Sequence, residues 1–357
     1  MEFGLFDSFD LGDESPGQVL ESRLRLAEEA ERLGLDRYHV TEHHGTPLSV
    51  CPSPNLFLTA LTQRTRRMRI GTLIYVLPMY EPVRFAEELA VIDQLSGGRL
   101  DFGVGRGVSP YELEYLGVDP ATSLPLYIEM LQAITHALET GRFDHKGELL
   151  RDLSVELPIL PIQRPYPPLW YASSNIATAE WAGTNGVHFV GRWNNGQFIE
   201  GAKAYWEAWE NRDVATALNR QDRKRPCVGF SPTLVIGESD REAHDRYFEH
   251  QSRFRDNVVL RWHDHGDHKV DAFAEPEFGL NVGNAIVGSI DSVIDQLREQ
   301  MSSGLVNYLE PMVYFGNMGY KEAHRNLERY TQEVIPALRS FTPETDVSTI
   351  GALTKTG

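Results

Sequence analysis

Short apolar, β-branched runs alternate with longer amphipathic segments along most of the chain. A strand followed by a helix, repeated, is typical of a parallel sheet whose two faces are covered by helices. The alternation predicts these strands: Glu2–Phe6, Arg37–Val40, Arg69–Val76, Leu100–Val104, Leu169–Ala172, Val187–Val190, Cys227–Ile236 and Tyr308–Tyr314. It predicts these helices: Pro16–Leu33, Pro54–Arg64, Val83–Leu95, Leu124–Thr140, Ala177–Gly183, Phe198–Leu218, Asp240–Phe254, Ser289–Met301 and Tyr320–Leu338.

About eight strand–helix repeats favour a closed (β/α)8 TIM barrel over a doubly wound open sheet, although alternation alone fits both. No Gly-x-Gly-x-x-Gly sequence opens a helix after the first strand, which also favours the barrel. Residues 141–168 and 261–288 are longer than ordinary connections and are predicted to be insertions, with function in the loops at the carboxyl ends of the strands. We expect one domain over residues 1–341 and a disordered polar tail over residues 342–357.

The charge balance and the apolar runs exclude several classes of partner. There are 34 Lys and Arg against 51 Asp and Glu, and the net charge of −17 repels nucleic acid and anionic lipid. Apolar runs such as residues 70–79 are far shorter than the roughly 20 residues that span a bilayer, and residues 1–4 contain no basic leader region. Cys51 and Cys227 are too few for a disulfide framework. We expect a soluble, cytoplasmic protein that binds neither nucleic acid nor membranes.

A histidine pair follows the second predicted strand, at the end of a barrel where function is expected. Strand alternation places Glu42 and His44 on one side and His43 on the other. An imidazole there is suited to general acid or base catalysis near neutral pH. The residues alone leave open a structural, hydrogen-bonded histidine instead.

Two other strand ends carry groups suited to an anion. Arg106 stands between Gly105 and Gly107, where glycines allow either a tight bend or the close approach of a planar ligand, and the guanidinium can bind phosphate. Residues 173–178 lead into a helix whose first amides favour an anion, although Ser174 as an ordinary N-cap explains the pattern as well.

His263 and His265 form a His-x-His pair in a polar segment that contains Gly266. Two imidazoles at this spacing can ligate a metal, but such a segment is more typical of a solvated lid loop. We therefore assign no metal ligands from the sequence.

Together these motifs resemble the bacterial luciferase-like, flavin-dependent monooxygenase family, and the α subunit of luciferase in particular, over most of the chain. The most specific stretch comprises Gly71–Pro78, Glu81–Glu88, Ile92–Leu100 and Gly103–Gly107. Weaker matches are Met1–Phe6 to the first strand, Glu42–His44 to the second-strand motif, Gln163–Trp170, Ser174–Trp181, and Gly288–Ser289 with the final helix.

The resemblance implies reduced FMN at the carboxyl ends of the strands, with His43 and Glu112 as catalytic residues. His43 matches the histidine that assists peroxyflavin chemistry, and Glu112 stands where the luciferase α subunit has an aspartate near the flavin. The positions that match flavin-binding residues are Phe6 beside the ring, Leu73 and Ile74 at a non-prolyl cis peptide beneath it, Arg106 at the phosphate, and Ser174, Ile176, Ala177 and Thr178 in the phosphate loop. Leu124 replaces a second phosphate-contacting arginine, which implies weaker binding of the phosphate or binding by other groups.

The resemblance further implies a two-component monooxygenase. A separate flavin reductase supplies reduced FMN, O2 adds at the flavin C4a to give a C4a-peroxyflavin, and a small hydrophobic organic substrate is oxidised. Residues 261–288 correspond to the family's mobile loop and are expected to form a lid. A homodimer through the helices next to the second and third strands is also expected.

Three alternatives stay open at this point. The first is hydride transfer with the deazaflavin F420, which a branch of the same family uses. The second is a catalytically silent, flavin-binding partner subunit, against which the presence of His43 argues. The third is a metal-dependent barrel hydrolase, which rests only on His263 and His265.

Overall fold

The computed structural model describes residues 1–191, 195–219 and 225–341, and the predicted tail over residues 342–357 lies outside the described residues. The strands are β1 Glu2–Asp7, β2 Arg37–Val40, β3 Arg69–Thr72, β4 Tyr75–Val76, β5 Leu100–Gly105, β6 Arg142–His145, β7 Leu153–Glu156, β8 Leu169–Ala172, β9 His188–Gly191, β10 Val228–Phe230, β11 Thr233–Ile236, β12 Ala285–Gly288 and β13 Tyr308–Leu309. The α-helices are α1 Pro16–Arg32, α2 Pro54–Arg64, α3 Pro82–Ser96, α4 Pro110–Tyr115, α5 Ser123–Thr140, α6 Ile176–Thr184, α7 Asn195–Asn211, α8 Asp240–Asp264, α9 Asp271–Ala274, α10 Pro276–Asn281, α11 Ile290–Met301, α12 Tyr320–Arg329 and α13 Ile335–Arg339. A short 3-10 turn, Leu77–Met79, follows β4, and a π-helical turn, Tyr330–Val334, joins α12 to α13.

Parallel strands close into a barrel in the order β1, β2, β3, β5, β8, β9, β10, β13 and back to β1. β4 continues β3 and also pairs with β5, so β3 and β4 together count as one of eight staves. The helices that follow the staves pack against their outer face and bury the apolar core there. The predicted (β/α)8 barrel is confirmed.

Proline and polar caps set the starts of the helices that follow the early strands. Each of α1, α2, α3 and α4 has proline at its first position, where the missing N–H costs no hydrogen bond. The Glu81 side chain accepts a hydrogen bond from the Arg84 amide at the start of α3, and Ser109 does the same for Glu112 at the start of α4. Each of these helices therefore begins at a defined residue.

Two predicted strands were drawn too long, because proline interrupts each of them. Pro232 lies between β10, which belongs to the barrel, and β11, which pairs with β12 outside it. The last barrel strand ends at Leu309, two residues before Pro311, and Met312 then forms an isolated bridge to Thr233. Proline has no N–H to donate to a neighbouring strand, so the ladders end beside it.

The prediction of a loop over residues 261–288 was wrong in its secondary structure. α8 continues ten residues beyond the predicted end to Asp264, and α9, α10 and β12 fill most of the rest. Movement of this segment as a lid stays a prediction. The other excursion, residues 141–168, contains the antiparallel hairpin of β6 and β7. None of the described helices is both long enough and apolar enough to cross a lipid bilayer.

The amino-terminal half of the barrel interior is filled by charged and aromatic side chains. Alternation along β2 turns Arg37 and His39 inward, where Arg37 donates to Asp101 at 2.9 Å and the His39 ring lies 2.7 Å from a Glu310 oxygen. Burial acts to lower the pKa of His39, but the Glu310 and Asp101 carboxylates outweigh it and raise this pKa. Trp170 packs edge-on against His39 with the ring centres 4.7 Å apart. This layer forms a solid floor beneath the open end of the barrel.

Candidate active site

A cavity of about 580 Å3, the first cavity, lies at the carboxyl ends of the barrel strands. This size is within the range of about 300–1,000 Å3 that is usual for sites of cofactors and small molecules. The loops after β1, β2, β5 and β8 and the β3–β4 junction contribute most of its wall. Of the site residues predicted from the sequence, the wall includes Phe6, His43, Leu73, Ile74, Arg106, Glu112 and Ser174.

His43 and Glu112 form a hydrogen-bonded pair on one wall of this cavity. The His43 Nδ1–H donates to Glu112 Oε1 at 3.1 Å, because a carboxylate can only accept. The second Glu112 oxygen accepts from the His44 backbone N–H at 2.8 Å. Glu112 itself is buried, and the Ser109 N-cap of α4 holds its backbone. Nε2 is therefore the ring nitrogen that His43 offers to the cavity.

A second buried carboxylate, Glu42, holds the opposite side of the same loop. It accepts hydrogen bonds from the Val76 amide at 2.7 Å, from the Tyr80 hydroxyl at 2.7 Å and from His44 Nε2 at 2.8 Å. Burial and the Glu42 charge raise the pKa of Tyr80 well above its usual value, so this hydroxyl stays a donor. His43 therefore stands between two carboxylates that fix the loop to β4 and to α4.

The strict alternation that we extended from β2 past its end does not hold. β2 stops at Val40, and Glu42 and His43 both line the first cavity although they are adjacent in sequence. His44 turns back to Glu42 and does not line the cavity. Beyond Val40 the chain is no longer a strand, so the hydrogen bonds of Glu42 and Glu112 orient these side chains instead of strand alternation.

The Leu73–Ile74 peptide bond is cis, as the family resemblance implies, and it lies at the junction of β3 and β4. Between the pairs Gly71–Asp101 and Tyr75–Val104, the β3–β4 side contains one more residue than β5. This extra residue is a bulge, which points Leu73 and Ile74 at the first cavity. A Cβ atom on Gly105 would stand 2.5 Å from Ile74 Cδ1, so the glycine makes room for the Ile74 side chain.

Arg106 and the loop after β8 approach the first cavity from adjacent staves. Arg106 is exposed at this wall, and among the described residues no carboxylate lies within ion-pairing distance of its guanidinium. Burial raises the pKa of nearby Tyr171, and the Arg106 charge opposes that shift. Ser173 and Ser174 line the same region, so a cation and two hydroxyls face one volume.

The start of α6 differs in detail from the sequence prediction. Its N-cap is Asn175 rather than Ser174, and the Asn175 side chain already accepts from the Ala177 amide at 2.9 Å. The Thr178 amide donates to the Asn175 carbonyl at 3.1 Å. Ile176, Ala177 and Thr178 are not among the described residues that line the first cavity. The hydroxyls before the helix, rather than its first turn, therefore border the cavity here.

A second cavity, of about 390 Å3, adjoins the first and shares five of its wall residues. The shared residues are His43, Leu48, Val108, Ser109 and Glu112. The rest of its wall comes mainly from the end of α8 and the segment after it, including Val258, Trp262, Val270 and Phe273. The His43–Glu112 pair consequently stands at the boundary between two cavities.

Leu124, His263 and His265 lie outside both cavity walls. Leu124 is half exposed at the start of α5. His263 and His265 do not converge as a pair. The His265 ring stacks on Tyr111 with centres 4.0 Å apart, whereas His263 Nε2 lies 2.7 Å from Asp271. The His263–His265 metal-binding pair on which the metal-dependent hydrolase alternative rests is therefore not formed.

Sequence reasoning missed the structural role of Glu42, the part of Ser173 in the wall, and the second cavity. A signal for Glu42 was present, because a carboxylate directly after a buried strand needs donors if it is to stay buried. No local signal identified the second cavity, since its wall combines α8 and α9 with loops that are distant in sequence.

The model of the luciferase-like monooxygenase family matches residues 1–307 of this chain. The chain is 31% identical to the alkanal monooxygenase alpha chain of Aliivibrio fischeri over 345 residues, which cover 91% of the chain and 94% of the relative. It is 24% identical to the oxygenase component of the flavin-dependent trigonelline monooxygenase of Acinetobacter baylyi over an alignment of 372 residues, which covers 99% of the chain and all of the relative.

Three solved structures with at most 24% identity share the fold. A monooxygenase from Streptomyces bottropensis matches with a TM-score of 0.80 and 24% identity, over 95% of this chain and 100% of that one. The oxygenating constituent of 3,6-diketocamphane monooxygenase from Pseudomonas putida, solved with FMN, matches with a TM-score of 0.75 and 20% identity over 97% and 100%. The F420-dependent tetrahydromethanopterin reductase of Methanopyrus kandleri matches with a TM-score of 0.66 and 18% identity over 94% and 98%. The match over residues 1–307 and the 31% identity across most of the chain establish that this protein belongs to the luciferase-like monooxygenase family.

Proposed function

We propose that this protein is the oxygenase of a two-component, FMN-dependent monooxygenase that oxidises an uncharged, hydrophobic organic molecule with O2. The observation that carries the proposal is the arrangement around the first cavity. The His43–Glu112 pair lies on one wall, and Arg106 with Ser173 and Ser174 lies on another. This combination suits a planar cofactor with a phosphate group and a reaction that needs controlled proton transfer.

The residues of the first cavity fit FMN. Arg106 has no carboxylate partner among the described residues and would bind the phosphate, with Ser173 and Ser174 as additional donors. Phe6, Leu73 and Ile74 supply the apolar surface that an isoalloxazine ring needs. Bound reduced FMN would supply the activation of O2 and the transfer of one oxygen atom to the substrate.

His43 is the residue to which we assign proton transfer. Glu112 accepts a hydrogen bond from the Nδ1–H, which leaves Nε2 as the ring nitrogen that faces the cavities. Glu42 and Glu112 hold the loop on both sides, and the His43 ring cannot turn without breaking its hydrogen bond to Glu112. Apolar residues line much of the cavity around the pair, and with ligands bound they would help to keep out water, which would otherwise divert the activated oxygen.

We assign the organic substrate to the second cavity, because it meets the first one at His43. Leu48, Val108 and Phe273 give this cavity an apolar lining. Its two cationic wall residues are both engaged: Arg261 pairs with Asp264, and the Lys269 ammonium lies 3.0 Å from Asp267 and over the Trp262 ring. The carboxylate in this wall, Glu112, is engaged as well, by His43 and by the His44 amide. A substrate of either charge would therefore find no free counter-charge in this wall, so we expect a neutral one.

F420 is the alternative cofactor, since F420-dependent proteins share this fold. The tail of F420 is a polyanion, whereas Arg106 is the only Lys or Arg among the described residues that line the first cavity. The net charge of −17 would also repel such a tail. The charge distribution therefore favours FMN.

We also propose two protein partners. A separate flavin reductase would deliver reduced FMN, as the relative described as an oxygenase component suggests. A second copy of this chain would bind through α2 and α3, where Leu56, Val91 and Leu95 expose apolar side chains on neighbouring helices.

The test compares the parent protein with His43→Asn in two measurements. Titrations with FMN and with F420, each followed by spectroscopy, are expected to show tighter binding of FMN, with an affinity that changes less than about threefold in the variant. Product formation from neutral aldehydes, ketones and aromatics, with a flavin reductase, NADH and O2, is expected to fall about 100-fold or more in the variant. Charged analogues of each substrate serve as controls and should react poorly with both proteins. Unchanged product yield in His43→Asn, or tighter binding of F420 than of FMN, would contradict the proposal.

A further inference from the structure

Two histidines and an aspartate converge at the outer edge of the second cavity. His263 lies in the last turn of α8, Asp271 is the first residue of α9, and His268 lies in the connection between them. His263 Nε2 is 2.7 Å from Asp271 Oδ1, and His268 Nδ1 is 3.0 Å from Asp271 Oδ2. One ligand atom from each of the three side chains lies within 4.8 Å of the other two.

The composition and spacing of this group match a transition-metal site. Imidazole nitrogen and carboxylate oxygen are typical Zn2+ ligands at about 2.0–2.2 Å, which separates tetrahedral neighbours by roughly 3.3 Å. The His263 and His268 nitrogens lie 2.7 and 3.0 Å from different oxygens of the Asp271 carboxylate, so side-chain rotations that turn both nitrogens towards one ion beside this carboxylate would form the site. Mg2+ and Ca2+ prefer all-oxygen ligands and are a poorer match for two imidazoles.

The neighbouring charges leave the group accessible to a cation. Asp264 and Asp267 flank it, and the cations Arg261 and Lys269 are already paired with these two aspartates. The His268 side chain is 66% exposed, so an ion bound there could complete its coordination with water.

We propose that His263, His268 and Asp271 bind one Zn2+ ion that fastens the connection after α8 to the end of that helix. The ligands alternate with residues of the second cavity: Trp262 precedes His263, while Lys269 and Val270 separate His268 from Asp271. Fixing the three ligands therefore also fixes this wall of the cavity. The proposal departs from the sequence analysis, which treated His263 with His265 in a solvated loop and assigned no metal ligands.

The proposal can be tested on the untagged, full-length protein after removal of metals with a chelator. Zn2+ is titrated in competition with a chromophoric chelator, and Co2+ is added separately to read the coordination number from the intensity of its visible bands. We expect one equivalent of Zn2+ to bind with low-micromolar affinity and the Co2+ bands to have the intensity of a four-coordinate site. Bound Zn2+ should also slow proteolysis within residues 264–271.

Matched variants distinguish a specific Zn2+ site from nonspecific Zn2+ binding to surface histidines. His268→Asn and Asp271→Asn should each weaken Zn2+ binding at least tenfold while leaving the circular dichroism spectrum unchanged. His265→Asn is the control, because His265 lies in the same connection but contacts Tyr111 and Tyr115 instead of the group. Absence of stoichiometric binding by the parent, or equal binding by His268→Asn and His265→Asn, would overturn the proposal and leave a hydrogen-bonded cluster only. Because every readout is independent of flavin, failure here would leave the proposed monooxygenase function untouched.

Discussion

Arg106 carries the only Lys or Arg charge among the described wall residues of the first cavity, so it offers a sharp test of how the cofactor is held. Replacing Arg106 with methionine removes the charge while keeping a flexible chain of similar length. If the guanidinium binds the phosphate, FMN affinity should fall roughly 10- to 150-fold, which corresponds to the 1.5–3 kcal/mol of a charge-assisted hydrogen bond.

Riboflavin provides the control for this prediction, because it carries the same ring without the phosphate. Its affinity should be equal for the parent and for Arg106→Met, measured by quenching of flavin fluorescence. An equal loss for FMN and riboflavin would mean that Arg106 supports the ring or the fold instead of the phosphate.

At the scale of single residues, the sequence alone left the roles of His43 and Arg106 open, because a structural histidine and an arginine at a bend fit the same patterns. The family resemblance assigned both to the candidate site, and both side chains lie on the wall of the first cavity. The partners of His43 depend on long-range folding: Glu112 comes from α4, 69 residues further along the chain, and only the family resemblance pointed to it. The clamp by Glu42 was missed because no pattern along the chain shows that Val76 and Tyr80 would donate to it.

Gly103 on β5 has the least space for a side chain among the glycines of these strands, because β5 lies close to the β3–β4 junction. A Cβ atom there would stand 1.8 Å from the Thr72 carbonyl oxygen, and neither backbone can yield without breaking the barrel ladder. Gly103→Ala should therefore reduce the free energy of unfolding by about 2–4 kcal/mol, or prevent folding, as followed by urea denaturation.

Gly17→Ala is the matched control for that substitution, since a Cβ atom at Gly17 would meet nothing within 4 Å. Its free energy of unfolding should stay within about 1 kcal/mol of the parent. Similar losses in the two variants would show that glycine content, and not the contact with Thr72, controls stability.

An ion pair between α8 and α12 should make stability depend on pH in the acid range. Burial opposes the effect, but hydrogen bonds from His250 and Arg246 lower the pKa of Glu322 to about 2, from 4.5. A carboxyl group with a lower pKa in the folded state stabilises fully above its unfolded pKa, and this contribution disappears as the pH falls from about 4.5 to about 2. Glu322→Gln should therefore cost about 1–3 kcal/mol at pH 7 and progressively less towards pH 3.

Urea midpoints at pH 7, 5, 4 and 3 measure this dependence directly. Glu277→Gln serves as the control, because Glu277 is exposed and forms no ion pair within the described part of the chain. A difference between parent and Glu322→Gln that stays constant across these pH values would disprove the linkage.

Most elements could be predicted from alternation because helices and strands of a parallel barrel have different periods and regular lengths. Errors arose where a single residue ends the pairing, as at Pro232 and Pro311, and where a polar helix has a weak apolar stripe. The predicted helix ended at Phe254 and the predicted loop began at Arg261, whereas α8 continues through both to Asp264. Tertiary contacts, such as that of Trp262 with Tyr111, stabilise this end of the helix where periodicity does not reveal it.

At the scale of the whole molecule, the exposed apolar side chains of α2 and α3 predict self-association. Leu56 is 75% exposed and Leu95 is 48% exposed, on two helices that pack side by side. The double variant Leu56→Glu, Leu95→Glu should shift the protein from dimer to monomer in size-exclusion chromatography with light scattering. Leu149→Glu, at a similarly exposed leucine in the connection between β6 and β7, outside both helices, should leave the mass unchanged. A monomeric parent, or a variant that stays dimeric, would exclude this surface as the interface.

The packed side chains at the amino-terminal end of the barrel block ligand access from that side. His39, Asp101, Trp170 and Tyr308 are fully buried beneath the cavities and fill the amino-terminal end, so a molecule next to His43 cannot pass through that end of the barrel. A cofactor and a substrate would therefore both have to reach His43 from the carboxyl ends of the strands, and the one that binds first would narrow the path of the other.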